Sequence, residues 1–371
     1  MTDVTLFTES FRIGGAEKAL LTLLRNIDKE RFNVHVICMC RTGELLDQYL
    51  NVPGIDIRFI LDPRKGLVNS LKSKFLYKIL PSRLSYRLWC RKHSDIEIAF
   101  CEGFTTRLLS RSTNSKAKRL AWVHTDLAGN DWPVRQRIFR DRRQEAKAYS
   151  KFNTVVCVSE NVRQGLVNEF GTEHSITAYN PIDAEEIRGG CKSSHPLPAD
   201  AINIVSIGRL EWLKGYDVLI DAFRHLKSER RILLHIVGDG SEFEALKRQI
   251  DTYGAADRIF LHGIQHNPYP YLNGADIYVC PSRKEGFNIA IIEAMSLAVP
   301  VVATRSAGPE EIIDDNEYGI ICDEAALSEK IQYLIDHEPE RKRLSEMAAV
   351  RAGHFALDRS MSVIHRLFEP T

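Results

Sequence analysis

Apolar residues recur along this chain in two alternating periods. Short, continuous apolar runs at residues 4–8, 32–39, 55–60, 96–101, 119–124 and 154–159 read as buried strands. Between the first two, Ala19, Leu20, Leu23, Leu24 and Ile27 fall at helical spacing. Strands alternating with helices predict a parallel sheet covered on both faces, so residues 1 to about 180 read as one doubly wound α/β domain. The pattern restarts with strand-like runs at 202–210, 231–237, 259–262, 277–280, 299–304 and 319–322. Helices are expected at 310–314, at 325–335 and beyond 338. Residues 188–198, rich in Gly, Ser, Cys, Lys and Pro, read as a linker. The halves share a strand-turn-helix grammar without evident repeat identity. They predict two similar α/β domains, at 1–182 and 183–355, facing each other across a ligand cleft.

Composition narrows the class without naming a function. With 371 residues, two cores are the default expectation. Lys plus Arg number 50 against 49 for Asp plus Glu, so the net charge of +1 excludes a global case for nucleic acid. The first ten residues are acidic where a secretory signal is basic, and no apolar run approaches the ~18 residues of a membrane span. Eight scattered cysteines without a Cys-x-x-Cys pattern read as free thiols of a reducing, cytoplasmic compartment.

The chemistry-bearing residues gather at predicted strand ends, where open α/β sheets bind ligands. Residues 281–287 form a strand-to-helix loop with Asn288 as N-cap. Glu285 stands in that loop, and Glu293 lies about a turn and a half inside the helix. Alone, two such carboxylates are plainly read as solvated. Beside a helix end that seeks phosphate, they suit sugar or ribose hydroxyls instead. Arg209 and Lys214 straddle another strand-to-helix turn, the arrangement that binds phosphate oxygens. Gly238 opens a further Gly-x-Gly turn, too short for a dinucleotide fingerprint. Gly14 and Gly15 either let a ligand approach a helix N-terminus or simply make a tight turn. His124, ending a strand, is either a ligand contact or a satisfied structural residue.

Residues 63–94 hold nine basic residues and no acidic one, interleaved with Leu, Ile, Phe and Trp. Arg64, Lys65, Lys72, Lys74, Lys78, Arg83 and Arg87 form the candidate membrane or acceptor surface. A solvated helix face stays open as the alternative.

Gly208-Arg209 with Lys214-Gly215, Glu285-Gly-Phe with Glu293-Ala-Met, Gly14-Gly15-Ala-Glu17 and Asn180-Pro-Ile-Asp183 together resemble the retaining glycosyltransferases of family 4. The resemblance implies the GT-B fold, with two Rossmann-like domains. It also implies a last helix, 356–371, that crosses back to an N-terminal acceptor domain. By the same resemblance, Arg209 and Lys214 hold the donor diphosphate, Glu285 contacts the transferred sugar and Glu293 the ribose. Backbone groups at Gly286, Phe287 and Asn288 assist, Gly14 and Gly15 approach the diphosphate, and His124 contacts the sugar. Where many members carry Gly-Phe-Gly-Leu-Pro, this chain has Gly-Phe-Asn-Ile-Ala at 286–290, which weakens any inference about sugar identity.

The implied reaction is retaining transfer of a hexose-type sugar from a UDP-linked or other nucleoside-diphosphate donor to a lipid-linked or growing glycan. No Asp-x-Asp occurs, so the leaving diphosphate is expected to be neutralised by Arg209, Lys214 and helix N-termini, without a metal or resident cofactor. The expected location is cytoplasmic, peripheral on the inner face of the membrane. A sugar-nucleotide epimerase and a catalytically inactive sugar-binding subunit are the alternatives on this scaffold.

Overall fold

The computed structural model describes residues 1–62, 82–90, 94–130, 132–192 and 196–369. The chain divides into two compact units, residues 1–181 with 360–371, and residues 182–359.

Among the described residues, the first unit holds β1 (Thr2–Thr8), β2 (Phe32–Cys40), β3 (Asp56–Leu61), β4 (Ile96–Ala99), β5 (Lys118–Val123), β6 (Thr154–Cys157) and β7 (Ser175–Thr177). They form one parallel sheet in the order β3-β2-β1-β4-β5-β6-β7. Buried apolar side chains cover both faces of this sheet. Phe7, Met39, Ala121, Val123 and Val155 pack on one side against Trp89, Phe104, Leu108 and Tyr149. Val4, Leu6, Val34, Val36, Ile98 and Leu120, in alternate positions, are buried too. Each such burial contributes roughly 1.5–3 kcal/mol. Near the C-terminus, Phe368 and His365 pack on Phe32, and Glu369 pairs with Arg31 at 2.8 Å.

The second unit holds β8 (Ile202–Ile207), β9 (Ile232–Val237), β10 (Ile259–Leu261), β11 (Ile277–Cys280), β12 (Val301–Thr304) and β13 (Ile320–Cys322). Its parallel order is β10-β9-β8-β11-β12-β13. Ile204, Leu234, Ile236, Ile277 and Val279 form its core with Leu219, Phe223, Leu246, Ile331 and Leu334. In both sheets the order reverses beside the first strand, between β1 and β4 and between β8 and β11. That reversal opens a crevice at the carboxyl ends of the strands.

Two expectations shift. The segment read as a linker begins inside a helix, Ala184–Gly190, whose N-cap Asp183 accepts from the Glu185 and Glu186 amides. The helix expected from 310 starts earlier, spanning Ala307–Ile313, because Pro309 sits in a first turn that needs no amide donor. All eight cysteines are free. Among the described residues no helix is long and apolar enough to cross a membrane.

Candidate functional site

In the second unit, the loops after β8 and β11 meet at the point where the strand order reverses. The first carries Arg209 and a short 3-10 turn, Trp212–Lys214, ending at Gly215. Gly215 has φ 66°, and a Cβ there would lie 2.0 Å from the Pro281 carbonyl oxygen. Only glycine lets these two loops close on each other. Arg283 braces them further. Its guanidinium binds both carboxylate oxygens of Asp217 at 2.8 Å, donates to the Trp212 carbonyl at 2.7 Å and lies over the Trp212 ring. These bonds to Arg283 hold the Asp217 carboxyl below its ordinary range.

That closure brings Lys214 to Glu285. The Lys214 ammonium donates to Glu285 Oε1, which also accepts from Ser282 Oγ at 2.9 Å and Asn288 Nδ2 at 3.0 Å. Asn288 serves two purposes, because its Oδ1 caps the helix Ile289–Ser296 by accepting from the Ile291 amide. Its Nδ2 also reaches Cys280 Sγ. Burial, then the nearby Glu285 carboxylate, pushes the Cys280 thiol up to about 11, so it is no nucleophile at neutral pH. The Glu293 side chain, inside the helix and buried, accepts from the Tyr269 hydroxyl at 3.2 Å.

The remaining donor-site residues have distinct placements. Arg209 is half exposed and pairs with Glu211 at 3.1 Å, turned along its own loop. Gly238 has φ 145°, and a Cβ there would lie 1.9 Å from the Gly208 carbonyl oxygen, so the turns after β8 and β9 touch backbone to backbone. Gly286 and Phe287 form a wall against which Gly308 packs, and the Phe287 ring is buried against Phe355.

In the first unit, Gly14 is the N-cap of the helix Gly15–Asn26, in extended backbone that any residue adopts. A Cβ on Gly14 would instead meet the Glu17 carboxylate 2.4 Å away. His124 follows β5 directly. Its amide donates to Glu102 Oε2 at 3.1 Å, and its ring nitrogens are buried, with the Phe100 carbonyl beside them. Burial lowers the imidazole's pKa, opposed by the Glu102 carboxylate and the nearby Phe100 carbonyl, so the ring is neutral. Arg64, Lys65, Lys72, Lys74 and Lys78 lie outside the described residues. Arg83 and Arg87 are exposed on the helix Ser82–Trp89.

The family model described as Glycosyltransferase Family 4 matches residues 13–186, and that described as Glycosyl transferases group 1 matches residues 191–351. The chain belongs to the group 1, family 4 glycosyltransferases.

This glycosyltransferase is 26% identical, over 96% of both chains, to the N-acetylgalactosamine-N,N'-diacetylbacillosaminyl-diphospho-undecaprenol 4-alpha-N-acetylgalactosaminyltransferase of Campylobacter jejuni. It is 27% identical to the lipopolysaccharide core biosynthesis glycosyltransferase LpsE of Rhizobium meliloti, over 58% of this chain and 61% of that one. Among solved structures, HepE of Anabaena, in complex with UDP and glucose, matches 99% of both chains at 17% identity with a TM-score of 0.78. The two parallel-sheet units and that full-length likeness give the GT-B fold.

Sequence reasoning missed part of the transferase's site. Ser282, Tyr269 and the Arg283–Asp217 brace all touch its polar residues or hold their loops. Ser282 lay within the stretch singled out from the sequence, three residues before Glu285. Tyr269 and Asp217 carry no local signal, because strand order alone brings them near. Among the described residues no group of three or more His, Cys, Asp or Glu is placed to hold a metal.

Proposed function

We propose that this glycosyltransferase moves a hexose-type sugar, with retention and without a metal, from a UDP-linked donor to a lipid-linked or growing surface glycan. The observation that carries the reading is the Lys214–Glu285–Asn288–Ser282 cluster at the crevice of the second sheet. A cation and a carboxylate there match a diphosphate beside a hydroxyl-bearing sugar. Lys214 and Arg209 would neutralise the leaving diphosphate, Glu285 would take hydroxyl hydrogen bonds from the sugar, and buried Glu293 would read the ribose. His124, neutral, would accept or donate one hydrogen bond to the transferred sugar without repelling or attracting charge.

The full-length Campylobacter relative is named for an alpha-transfer onto a diphospho-undecaprenol saccharide, which supports retention and a lipid-linked acceptor. HepE, solved with UDP and glucose, supports the base and the hexose class. Such an acceptor sits in a membrane, and the helix Ser82–Trp89 suits its surface. Arg83, Leu84, Arg87 and Leu88 are exposed together while Ser85, Tyr86 and Trp89 are buried. On this reading the protein works peripherally, at the inner face of the membrane.

A thermal-shift panel of nucleotides and nucleotide sugars, with EDTA present, tests the donor. UDP and one UDP-hexose should raise Tm by mass action, more than GDP or ADP partners do. An equal response to all bases, or a response that requires added divalent ion, contradicts the reading.

A further inference from the structure

In the first unit, the helices Phe104–Leu109 and Arg142–Tyr149 cover the same face of the sheet and enclose a cavity between them. Arg107, Ser110 and Arg111 line it from one side, and Gln144, Lys147 and Lys151 from the other. The first helix starts just past the carboxyl end of β4 and runs back over the sheet, while Lys151 stands three residues before β6. The cavity therefore lies toward the amino edge, away from the strand ends where Gly14, Gly15 and His124 stand. Among the described residues, none that lines it is acidic. The carboxylates of the same segment are committed elsewhere. Asp141 pairs with Arg140 at 2.8 Å and caps the Gln144 amide, and Glu145, fully buried, binds Arg142 at 2.7 Å. Residues 135–151 hold seven basic residues against those two acids, in a chain whose net charge is only +1.

Four cations around one cavity repel each other unless an anion sits among them. Arg107 is fixed at this wall, donating to the Ile138 carbonyl at 2.9 Å and lying over the Phe104 ring. Burial lowers its pKa, which marks a guanidinium partly withdrawn from water. Gln144 gives its Oε1 to the Arg140 amide, so its NH2 is the end left to donate. The cavity volume is about 40 Å³. At roughly 10–15 Å³ for each water, that space takes about three waters or one tetrahedral oxyanion, and no sugar ring or nucleobase.

We propose that this cavity binds one terminal phosphate group, held by Arg107, Arg111, Lys147 and Lys151. The site is separate from the donor residues and goes beyond the transfer reaction. A terminal phosphate brings up to two charges and three acceptor oxygens on one stem, whereas a phosphodiester brings one charge and two stems into the same small space. Free phosphate and the headgroup of a phosphomonoester lipid present this same group. The helix Ser82–Trp89, read above as facing the membrane, packs on Phe104 through Trp89, which brings the lipid source within reach.

Calorimetric titration of the full chain with inorganic phosphate, at about 0.15 M salt where loose surface attraction is screened, tests the pocket. Phosphate should bind saturably, and Arg111→Gln combined with Lys147→Gln should weaken it about tenfold or more, because two charge-assisted contacts are lost. Both side chains are exposed, so the double variant should fold, and a Tm no lower than wild type in phosphate-free buffer checks that. Lys214→Met separates the pocket from the donor site and should keep the phosphate response. Vesicles then assign the source. If the headgroup is the ligand, phosphatidic acid vesicles retain the protein better than phosphatidylglycerol vesicles of matched charge, and the double variant loses that difference. Equal retention beside intact phosphate binding makes free phosphate the ligand. No saturable phosphate binding in Lys214→Met, or binding that the double variant leaves unchanged, overturns the proposal.

Discussion

Lys214 and Glu285, 71 residues apart in sequence, form an ion pair across the crevice of the second sheet. Their side chains are only 23% and 10% exposed, so the pair is largely shielded from water. Removing one partner leaves a nearly buried charge alone, which typically costs about 3 kcal/mol or more. Lys214→Met should therefore lower stability by about that amount in urea unfolding. Lys214→Met combined with Glu285→Gln should recover part of the loss, with a coupling of about 1–3 kcal/mol. Additive losses would mean that the pair is not energetically linked.

The same pair separates stability from catalysis. Glu285→Gln preserves the acceptance from Ser282 and the helix cap at Asn288 while removing the charge. It should lower kcat by about 100-fold or more while leaving UDP affinity within a few fold. Steady-state kinetics with a separate UDP titration checks this.

Gly215 is where loop geometry and site geometry meet. Gly215→Ala places a Cβ 2.0 Å from the Pro281 carbonyl oxygen at φ 66°, so the loops bearing Lys214 and Glu285 must part. UDP affinity should fall at least about tenfold. Gly171→Ala is the matched control, with φ 64° and open space around its Cβ, and should cost only about 1 kcal/mol of stability. Calorimetry and UDP titration on the two variants distinguish a steric effect from left-handed strain.

His235 makes stability depend on pH. It is held between His262 Nε2 at 3.0 Å and Asn203 Oδ1 at 3.2 Å, stacked on Phe260. Burial, then His262, pulls its pKa down to about 4. The folded state therefore binds fewer protons than the unfolded state between the ordinary value of about 6.5 and 4. Its contribution is fully present above the unfolded value and is lost as pH falls toward 4. Between pH 7.5 and pH 5 the loss should be about 2 kcal/mol. Urea unfolding at both values, in wild type and in His235→Gln, should show a smaller pH difference in the variant.

Arg83 and Arg87 test the membrane reading within the described residues. Each basic residue near an anionic surface contributes about 1 kcal/mol. Reversing both charges should reduce sedimentation with vesicles containing one-third phosphatidylglycerol by about tenfold or more. Binding to neutral vesicles should be weak in both proteins. Unchanged sedimentation would assign the exposed face to solvent.

Much of the architecture was legible because the buried parallel strands leave short apolar runs that alternate with segments of helical spacing. The Asn288 cap was legible too, since Asn before an apolar helical run has few other roles. The helix at Ala307–Ile313 was read late because Pro309 looks like a helix stop, whereas in a first turn it is tolerated. Residues that depend on strand order stayed hidden. Arg107 and Lys147 are 40 positions apart in sequence, and only the strand order β4-β5-β6 brings their helices together. His235 and His262 likewise meet only through the pairing of β9 with β10.

The central claim is retaining transfer from a UDP-sugar, driven by the Lys214–Glu285 site. Its most direct test is NMR of the product formed from the α-configured UDP-hexose chosen by the binding panel and a diphospho-undecaprenol saccharide, in EDTA. The account predicts an α-linked product from wild type and almost none from Glu285→Gln. A β-linked product, an epimerised donor without transfer, or a fully active Glu285→Gln enzyme would contradict it.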